Sequence, residues 1–556
     1  MPTVRLICVL LAATIALSAE QITVSVLATT DLHGNIYPYD YYTAREAPRG
    51  LAKAATIIRA ERERNPNTVL IDCGDTIQGS PIEYIYQQFV RGGRLPLGMQ
   101  FAGEPWREEP MMRAMNAIGY EALVVGNHDF NYGLKNLEHA RAQSRFPWLS
   151  ANITTEAGSG RRPFEPYIVK DLGGVRIAII GLTTPNIPMW DPPEHYRGYR
   201  FAPIWSTAAE WVKTVRARVK PDIVVLAVHD GIEKDSKIRI PEGVDLIVYG
   251  HSHQQAQGYM MGSTLLVQPR NWAMSVAKVD FVIERQGGAN KLVDKRSRLL
   301  AVRKETAAAP DIVKLGEPYH AMAEKYLNTP VTQAAEDLSG ARGRVEDTPL
   351  IDAIQTVQLA YTKADVSLTG LFNPRVRIRQ GAVTVRQLAA LYIYDNELYT
   401  IEGNGKMLRD ALEVAARYYR SCETPACSTG PLINKGVPGF NYDMAQGVTY
   451  RIDLREPSGH RIKNLRWKGR ALRDDQPLRI AVNNYRAGGS GGYKMFQGAK
   501  VVWQSSQDIR DLMIQYYGQG RPLPTKADRN WRIEPPGARK QLIKEVDAET
   551  GRPMEH

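Results

Sequence analysis

The first half of the chain repeats one pattern of hydrophobic and polar positions. From Ile22 to about Glu305, short runs of β-branched and apolar residues each end in a loop rich in Asp, His, Gly and Asn. Segments with helical spacing, such as Leu51–Glu63 and Ala208–Arg218, lie between these runs. The alternation predicts an α/β domain in which sheets and helices form layers. The six runs are ITVSVLATT before Asp31, TVLIDC before Gly74, ALVV before Gly126, IAIIGL before Thr183, IVVLAV before His229 and LIVY before Gly250.

The second half restarts this pattern after a helical connector near Pro310–Tyr326. The spacing predicts helices near 348–362 and 406–420 and strands near 365–369, 398–401, 448–454 and 478–482. We therefore expect a first domain over 20–308, a helical linker over 309–334 and a smaller α/β domain over 335–532. Residues 533–556 are charged with little apolar periodicity, and we expect a mobile tail there.

The amino-terminal segment is typical of an export signal. Its apolar stretch Leu6–Ala19 follows Arg5, ends in small residues and is shorter than the roughly 20 apolar residues that a spanning helix needs. We interpret residues 1–19 as a cleaved signal peptide, with an uncleaved anchor as the alternative. The expected protein is periplasmic or secreted and has no stable membrane anchor.

Composition narrows the class of protein. The 556 residues are 43% hydrophobic and 23% charged, which is close to globular averages and argues against disordered and fibrous classes. The net charge of +12 favours anionic ligands, but no long basic run is present, so we expect no nucleic acid polymer as a partner.

The four cysteines are too few for a disulfide scaffold, and none forms a CxxC pair typical of structural zinc. Cys422 and Cys427 lie in a Pro-containing loop and can form a short disulfide in an oxidising compartment, or remain two free thiols. Cys73 is expected to be buried at the end of a strand.

Five of the polar loops carry an unusual density of potential metal ligands. They hold five of the ten histidines, and they follow successive strands, whose carboxyl ends are where α/β sheets gather ligands. One Asp or His at such a place is more often a helix cap or a satisfied core residue. Five loops together favour a site. They are Asp31-Leu32-His33-Gly34-Asn35, Gly74-Asp75 with the following TIQGSP, Gly126-Asn127-His128-Asp129-Phe130-Asn131, Val228-His229-Asp230 and Gly250-His251-Ser252-His253.

Imidazole and carboxylate side chains bind divalent transition metals, and these loops supply enough of them for two ions. Two ions about 3.5–4 Å apart hold a bridging hydroxide for in-line attack on phosphorus. A Ser-His-Asp site is disfavoured because the chain has no GxSxG, and a P-loop is disfavoured because it has no GxxxxGK[ST]. The loops therefore predict a dimetal phosphohydrolase.

The series DxHGN, GDxxQGSP, GNHDFNYG, HDG and GHSH resembles the two-domain calcineurin-like metallophosphoesterases of the 5′-nucleotidase family. The resemblance implies an α/β fold with a four-layer αββα sandwich, joined by a helix to a smaller α/β nucleotide-binding domain. It also implies two divalent metal ions of the Mn, Zn, Co or Fe type. By motif, the ligands are Asp31, His33, Asp75 and His253 for the first metal, with Asp75 bridging to a second metal held by Asn127, His229 and His251.

The same resemblance implies that His128 does not bind metal but lies over the phosphate, where it stabilises the transition state or protonates the leaving oxygen. The ordinary pKa of histidine is near neutral pH, which suits that role. Many relatives have an Asp three residues later that orients this histidine, and Asn131 occupies that position here. We expect a hydrogen-bonded pair that lacks the charge of a carboxylate. Asp129, in place of the more usual Glu, has a shorter reach.

Candidate substrate-binding residues lie in the second domain. Two flat rings from separate loops can enclose a base, each stack contributing about 1–3 kcal/mol. The resemblance assigns this role to Phe440 in PGFNYD and Tyr485 in NNYRAGG, with Tyr442 as an alternate. Aromatic residues that fill a core beside turns are the alternative interpretation.

Three alternating arginines in FNPRVRIRQG present one face of a predicted strand. Such a face can bind phosphate, or it can be a solvated edge strand protected by charge. We choose Arg375 over Arg377 and Arg379 as the candidate phosphate ligand.

The QGSP loop, Asn131 and the stretches YDMAQGVTYRID and NNYRAGGSGG look more like the branch of 2′,3′-cyclic-nucleotide 2′-phosphodiesterase/3′-nucleotidases. Arg270 and Ala273 occupy positions where relatives often carry glycine. A 5′-nucleotidase or UDP-sugar hydrolase on the same site is the alternative. An inactive secreted nucleotide-binding protein is a minor alternative, and sulfur-ester hydrolysis is disfavoured by His128. The sequence predicts a small nucleotide substrate and leaves the oligomeric state open.

Overall fold

The computed structural model of the protein describes residues 20–99, 108–155, 162–232, 239–394, 396–422, 427 and 430–551. The predicted signal peptide at 1–19 lies outside these residues. No helix within the described ranges is both long enough and apolar enough to cross a membrane.

The first half of the structure contains sixteen strands within the described residues. In chain order they are β1 (Glu20–Thr29), β2 (Tyr39–Asp40), β3 (Arg45–Glu46), β4 (Thr68–Asp72), β5 (Ala122–Val124), β6 (Trp148–Leu149), β7 (Ile153–Thr155), β8 (Tyr167–Leu172), β9 (Val175–Thr183), β10 (Tyr199–Phe201), β11 (Ile223–His229), β12 (Leu246–Tyr249), β13 (Ala256–Met261), β14 (Thr264–Gln268), β15 (Ser275–Gln286) and β16 (Ala289–Ala301). The helices are α1 (Leu51–Arg64), α2 (Pro81–Gly92), α3 (Pro110–Ile118), α4 (Leu134–Gln143), α5 (Ile187–Trp190) and α6 (Ile204–Arg218).

Most of these strands form two six-stranded sheets. One has the order β16-β15-β1-β4-β5-β6 and the other the order β13-β14-β12-β11-β9-β8. The central strands β1, β4, β5 and β6 are parallel to one another, as are β9, β11, β12 and β14. The six strands predicted from the hydrophobic runs are all present.

Alternating side chains on the strands explain how the sheets pack. In β1, Val24 and Val26 face the second sheet, whereas Leu27 faces the helices α1 and α3. The outer face of the second sheet packs on α6 through residues such as Val212. Burial of both faces of each sheet gives four layers, and the predicted αββα sandwich is confirmed.

The helix α7 (Pro310–Leu327) connects the sandwich to the second half of the chain. Strands β17 to β29 follow: Pro330–Ala334, Leu338–Ser339, Val366–Gly370, Arg377–Ile378, Gly381–Thr384, Glu397–Asn404, Asp443–Gln446, Val448–Asp453, Ile462–Trp467, Arg470–Ala471, Pro477–Asn483, Val501–Asp508 and Trp531–Glu534. Helices α8 to α13 are Pro349–Thr362, Val385–Ala389, Gly405–Ala416, Asn484–Ala487, Ile509–Gly518 and Pro536–Thr550.

A five-stranded sheet of order β23-β19-β27-β22-β28 and a four-stranded sheet of order β26-β25-β24-β29 form this second α/β unit. Its hydrophobic core is continuous with α7 and with α2 of the sandwich, through Tyr319 and Ile85. The two halves therefore contact each other through the connecting helix.

One feature of the second unit differs from the sequence prediction, and another decides between two predicted alternatives. Residues 533–551 of the expected tail instead form the end of β29 followed by the helix α13, because Ala538, Leu542 and Val546 repeat at helical spacing and are buried, and the rest of that tail lies outside the described residues. Cys422 and Cys427 are joined by a disulfide, so they are not two free thiols. Cys73 is a buried free thiol beyond the end of β4, as predicted.

Candidate metal centre

The polar loops after five strands meet at one end of the sandwich. Strands β1, β4 and β5 are parallel neighbours in one sheet, and β11 and β12 are parallel neighbours in the other, so their carboxyl ends lie at adjacent edges. The structure gathers all seven side chains predicted as ligands there, in two neighbouring groups. They are Asp31, His33, Asp75, Asn127, His229, His251 and His253.

The first group consists of Asp31, His33 and His253, whose ligand atoms lie within 4.8 Å of one another. Nε2 of His33 is 3.1 Å from Nε2 of His253, and that atom is 3.5 Å from Oδ1 of Asp31. Nδ1 of His33 donates to the carbonyl oxygen of Gln78 at 3.0 Å. This hydrogen bond leaves the Nε2 lone pair of His33 directed into the group, as a metal ligand requires.

The second group consists of Asp75, His229 and His251, also within 4.8 Å. Nε2 of His229 lies 3.0 Å from Oδ2 of Asp75 and 3.1 Å from Oδ1 of Asn127, so the amide joins this group. Nδ1 of His229 donates to the carbonyl oxygen of Cys73 at 2.5 Å, which orients the ring in the same way as in the first group.

The two groups are in contact. The backbone N–H of His251 donates to both carboxylate oxygens of Asp31 at 3.0 Å. Asp75 is buried, and its Oδ1 accepts from the backbone N–H of His128 at 2.7 Å. Its Oδ2 has no well-oriented hydrogen-bond donor among the described residues, although the ring nitrogen of His229 is near. A buried carboxylate oxygen without a donor fits a bound cation.

The charges in the site depend on one another. Burial, followed by the charge of His253, lowers the pKa of His33 to about 4. Burial and the charge of His229 lower the pKa of His251 to about 4. For His229 burial opposes protonation, but Asp75 beside it raises the pKa to about 10. Two imidazoles are thus neutral, the form that binds metal, and His229 would have to give up its extra proton when a divalent cation binds.

Five of the seven ligand candidates have a left-handed backbone. Their φ angles are 50° at Asp31, 46° at His33, 60° at Asp75, 69° at His251 and 56° at His253. A residue with a Cβ atom rarely adopts this conformation, which costs about 1–2 kcal/mol each. Such a concentration of costly conformations is typical of functional sites and aims these side chains at one point.

The glycines of the motifs make room for the ligands. A Cβ atom on Gly126 would lie 2.2 Å from Oδ1 of Asp75, and one on Gly79 would lie 2.8 Å from Cβ of His33. Any larger residue at either position would displace a ligand side chain.

Asp129 connects two of the ligand loops. Its buried carboxylate accepts hydrogen bonds from the backbone N–H groups of Gly126 and Thr76 at 2.8 Å and of Ile77 at 3.1 Å. The side chain of Asp is shorter than that of the more usual Glu, and its carboxylate therefore stays within hydrogen-bond distance of these backbone N–H groups. It fixes the Asp75 loop against the Asn127 loop.

His128 borders both groups without belonging to either. Its ring lies 5.3 Å from that of His33, and its Nδ1 is 2.6 Å from Oδ1 of Asn131. The expected hydrogen-bonded pair is therefore present. The structure adds a further partner, because Nδ2 of Asn131 donates to Oδ1 of Asp191 at 2.8 Å.

The loops carrying Phe440 and Tyr485 are held together by Arg486. Its buried guanidinium donates to the carbonyl oxygen of Phe440 at 2.6 Å and to both oxygens of Asp443 at 2.7 and 3.0 Å. The same guanidinium lies 5.4 Å from the ring of Tyr485. Phe440 is 39% exposed, and its ring is available to a ligand.

The structure differs from two sequence predictions in this region. Tyr442, the alternate stacking residue, is 1% exposed and packs against Tyr418 and Tyr419, so the hydrophobic core prevents it from stacking on a ligand. The predicted arginine strand shortens to the two residues of β20.

The three arginines of that segment have different environments. Arg379 pairs with Asp337, and Arg377 donates to main-chain carbonyl oxygens. Arg375 is exposed and makes no side-chain hydrogen bond or ion pair with the described residues. Its assignment to phosphate stays a prediction.

Sequence reasoning missed Trp190, which contacts both halves of the structure. Its ring stacks on His251 with centroids 5.3 Å apart, and its Nε1 lies 3.4 Å from Oγ of Ser490. Asn484 donates from Nδ2 to the carbonyl oxygen of Trp190 at 2.5 Å. The sequence gives only a weak indication of this residue, because the loop after the strand run IAIIGL contains Trp and Asp but matches no motif.

Comparison with known families agrees with this geometry. Residues 24–255 match the calcineurin-like phosphoesterase family, and residues 327–498 match the 5′-nucleotidase C-terminal domain.

Individual relatives resemble the chain over most of its length. The trifunctional nucleotide phosphoesterase protein YfkN of Bacillus subtilis (strain 168) is 27% identical over 93% of this chain, which spans only 39% of that protein. A 2′,3′-cyclic-nucleotide 2′-phosphodiesterase/3′-nucleotidase of Yersinia enterocolitica is 28% identical over 94% of this chain and 91% of the relative.

A solved structure from Staphylococcus aureus, described as a candidate 5′-nucleotidase in complex with alpha-ketoglutarate, superposes with a TM-score of 0.77. It is 25% identical and covers 92% of this chain and 100% of its own. The chain therefore belongs to the two-domain calcineurin-like metallophosphoesterases of the 5′-nucleotidase family, and it is a metal-dependent phosphoric ester hydrolase.

Proposed function

We propose that this protein is an exported phosphohydrolase that opens 2′,3′-cyclic nucleotides and then removes the remaining 3′-phosphate. The observation that carries the proposal is the position of Trp190, which stacks on the ligand candidate His251 and contacts the loop that follows Tyr485. A phosphoester at the metal centre and a base at the second unit can therefore belong to one ligand.

The donor set supports two divalent cations. Asp31, His33 and His253 would hold one ion, and Asn127, His229 and His251 would hold the other, with Asp75 as the shared ligand. When bound, such ions neutralise phosphate oxygens and activate water. Mixed imidazole, carboxylate and amide donors suit Mn, Zn, Co or Fe.

The protein's own side chains complete the reaction. His128 borders the two groups, and its Nδ1 faces Asn131, so its Nε2 is the atom left for substrate. In its cationic form His128 carries hydrogens on both ring nitrogens, so Nδ1 keeps its hydrogen bond to Asn131 while the Nε2 proton passes to the sugar oxygen as the ester P–O bond breaks. The water oxygen forms the new bond to phosphorus and gives up its proton to solvent. Ring opening and 3′-phosphate removal both follow this scheme, because a sugar oxygen leaves in each.

Phe440 and Tyr485 would select for nucleotides by stacking on the base. Arg486 fixes both loops from a buried position, so the rings are ordered before the base arrives. Preorganised rings lose little conformational entropy on binding. Arg375, on the exposed side of its segment, is the proposed additional phosphate ligand.

The name of the Y. enterocolitica relative supports the cyclic-nucleotide and 3′-nucleotide branch. A 5′-nucleotidase or UDP-sugar hydrolase is the alternative, and the S. aureus structure supports it. An inactive nucleotide-binding protein is disfavoured because all seven ligand positions carry metal-binding side chains. The apolar segment at Leu6–Ala19 supports export to the periplasm or the exterior.

A substrate panel on metal-loaded protein tests this proposal. Purified protein is supplied with Mn²⁺, and phosphate release or ring opening is measured with 2′,3′-cyclic AMP, 3′-AMP, 5′-AMP and a UDP-sugar. We expect the first two to have the highest kcat/KM, and His128→Ala to reduce both with the metal content retained. A higher kcat/KM for 5′-AMP or the UDP-sugar would overturn the branch, and nucleotide binding without turnover would overturn the enzyme.

A further inference from the structure

A chain of hydrogen bonds leads away from His128 to a buried carboxylate. Nδ1 of His128 is 2.6 Å from Oδ1 of Asn131, and Nδ2 of Asn131 is 2.8 Å from Oδ1 of Asp191. The orientation of the Asn131 amide determines the hydrogen-bond direction in both contacts. A carboxylate only accepts hydrogen bonds, so the amide must present its NH₂ group to Asp191 and its carbonyl oxygen to His128. His128 therefore carries a hydrogen on Nδ1.

Asp191 is buried at a position where a charged carboxylate reduces the stability of the fold. The residue is 5% exposed, and its Oδ2 has no hydrogen-bond partner among the described residues. Apart from Asn131, the neighbour of Oδ1 is Nδ1 of His195 at 3.2 Å, and that histidine is also buried. Partly satisfied buried charges are kept where they do something other than stabilise the fold.

The backbone at Asp191 is held from both halves of the structure. Asp191 is the residue after α5, and its N–H donates to the carbonyl oxygen of Ile187 at 3.0 Å. The preceding residue, Trp190, accepts a hydrogen bond from Asn484 of the second unit and stacks on His251. Pro192 and Pro193 follow directly and restrict the chain. The carboxylate therefore faces Asn131 from a rigid position.

We infer that Asp191 is a positioning residue for His128, acting through the amide of Asn131. An ionised carboxylate on the NH₂ side polarises the amide and makes its carbonyl oxygen a stronger acceptor for the Nδ1 hydrogen. The ring then keeps one tautomer and one orientation, with Nε2 toward the substrate. This inference rests on the proposed function for its kinetic consequence, because that function gives His128 the task of protonating a sugar oxygen.

The kinetic experiment compares Asp191→Ala with the matched control Glu194→Gln, an exposed carboxylate on the same loop. For 3′-AMP we expect Asp191→Ala to lower kcat by about 10- to 100-fold, as for other residues that orient an active-site group. KM should change less than about threefold, and metal content by elemental analysis should not change. For 4-nitrophenyl phosphate, whose leaving group needs no proton, the loss should be below about threefold. Glu194→Gln should match the wild type.

A double-mutant cycle separates positioning from a general structural role. In the Asn131→Ala background, Asp191→Ala should have no further effect, because the connection to His128 is already lost. Additive losses in the double variant, equal losses on both substrates, or a wild-type kcat in Asp191→Ala would each overturn the inference.

A spectroscopic measurement does not depend on nucleotide turnover. Nitrogen-15 spectra of histidine-labelled protein loaded with diamagnetic Zn²⁺ report which ring nitrogen of His128 carries the hydrogen, with His128→Gln used to assign the signal. We expect Nδ1–H in the wild type and a mixture of tautomers in Asp191→Ala. An unchanged spectrum would overturn the inference. If the substrate panel shows no nucleotide turnover while the tautomer shifts, the proposed function fails and the positioning role stands.

Discussion

Nε2 of His229 lies 3.0 Å from Oδ2 of Asp75, and the two residues come from different sheets of the sandwich. His229 is the last residue of β11, and Asp75 follows β4. The contact forms only when the two sheets pack in the correct alignment. The candidate metal centre thus depends on the packing of the whole sandwich and not on any one motif.

Substitution of Asp75 tests the shared ligand. Asp75→Asn keeps the shape of the side chain but removes its negative charge, so both proposed ions lose an anionic ligand. We expect a loss of hydrolysis of at least about 10³-fold and fewer than two metal ions per chain. Phosphate release and elemental analysis measure the two effects. Asp171→Asn, an exposed position on β8, is the control, and unchanged turnover in Asp75→Asn would contradict the assignment.

Substitution of Asp129 tests the connection between the ligand loops. Asp129→Ala leaves the backbone N–H groups of Thr76, Ile77 and Gly126 without an acceptor, at a cost of about 1 kcal/mol or more each. A total near 3 kcal/mol corresponds to an unfolding temperature roughly 5 °C lower for a domain of about 300 residues. Differential scanning calorimetry measures it. A shift below about 2 °C would show that water replaces the carboxylate.

The aromatic rings of the second unit should affect binding more than chemistry. For the double variant Phe440→Ala with Tyr485→Ala, the loss of two stacks of about 1–3 kcal/mol each predicts a KM for 3′-AMP at least about 30-fold higher. The KM for 4-nitrophenyl phosphate should hardly change. Tyr259→Ala, an exposed ring on β13, is the matched control. Equal losses on both substrates would mean that the rings are structural.

Glu397 gives the structure a dependence on pH. Burial, with the facing carboxylates of Asp191, Asp508 and Glu194, raises its pKa from the ordinary 4.5 to about 9. Between these values the folded protein holds a proton that the unfolded chain releases. Stability therefore falls as pH rises from about 5 to 9, by up to about 1.4 kcal/mol per unit.

Glu397→Gln removes this proton linkage. The unfolding temperature of the variant relative to the wild type should rise steadily between pH 5 and pH 9. Glu402→Gln, an exposed position on the same strand, provides the comparison and should follow the wild type. A difference between Glu397→Gln and wild type that is constant with pH would refute the assigned cause.

The sequence predicts the strands of the sandwich and the gathering of its ligand loops well, because both depend on local patterns. Apolar runs such as IVVLAV form strands wherever they are buried, and His229 follows from the end of that run. Asp191 has no such local signal, since its role depends on a contact with Asn131 from another loop.

Long-range packing also decides the features that the sequence predicts wrongly. Tyr442 lies near the same Pro-Gly turn as Phe440, but its ring packs in the core against Tyr418 and Tyr419. The amphipathic face of α13 is narrow, and three small or medium apolar residues suffice to bury it. The domain boundaries and the roles of the site residues stay predictions.

The left-handed backbone at Asp31, His33, Asp75, His251 and His253 has a consequence for the metal-free protein. Each of these residues has an unfavourable backbone conformation, which would relax if its side chain no longer made its contacts in the site. Ions coordinated by the same side chains would resist that relaxation. Chelation should therefore loosen this end of the sandwich first, and amide hydrogen exchange would accelerate at the rim of the sheets while their centres stay protected.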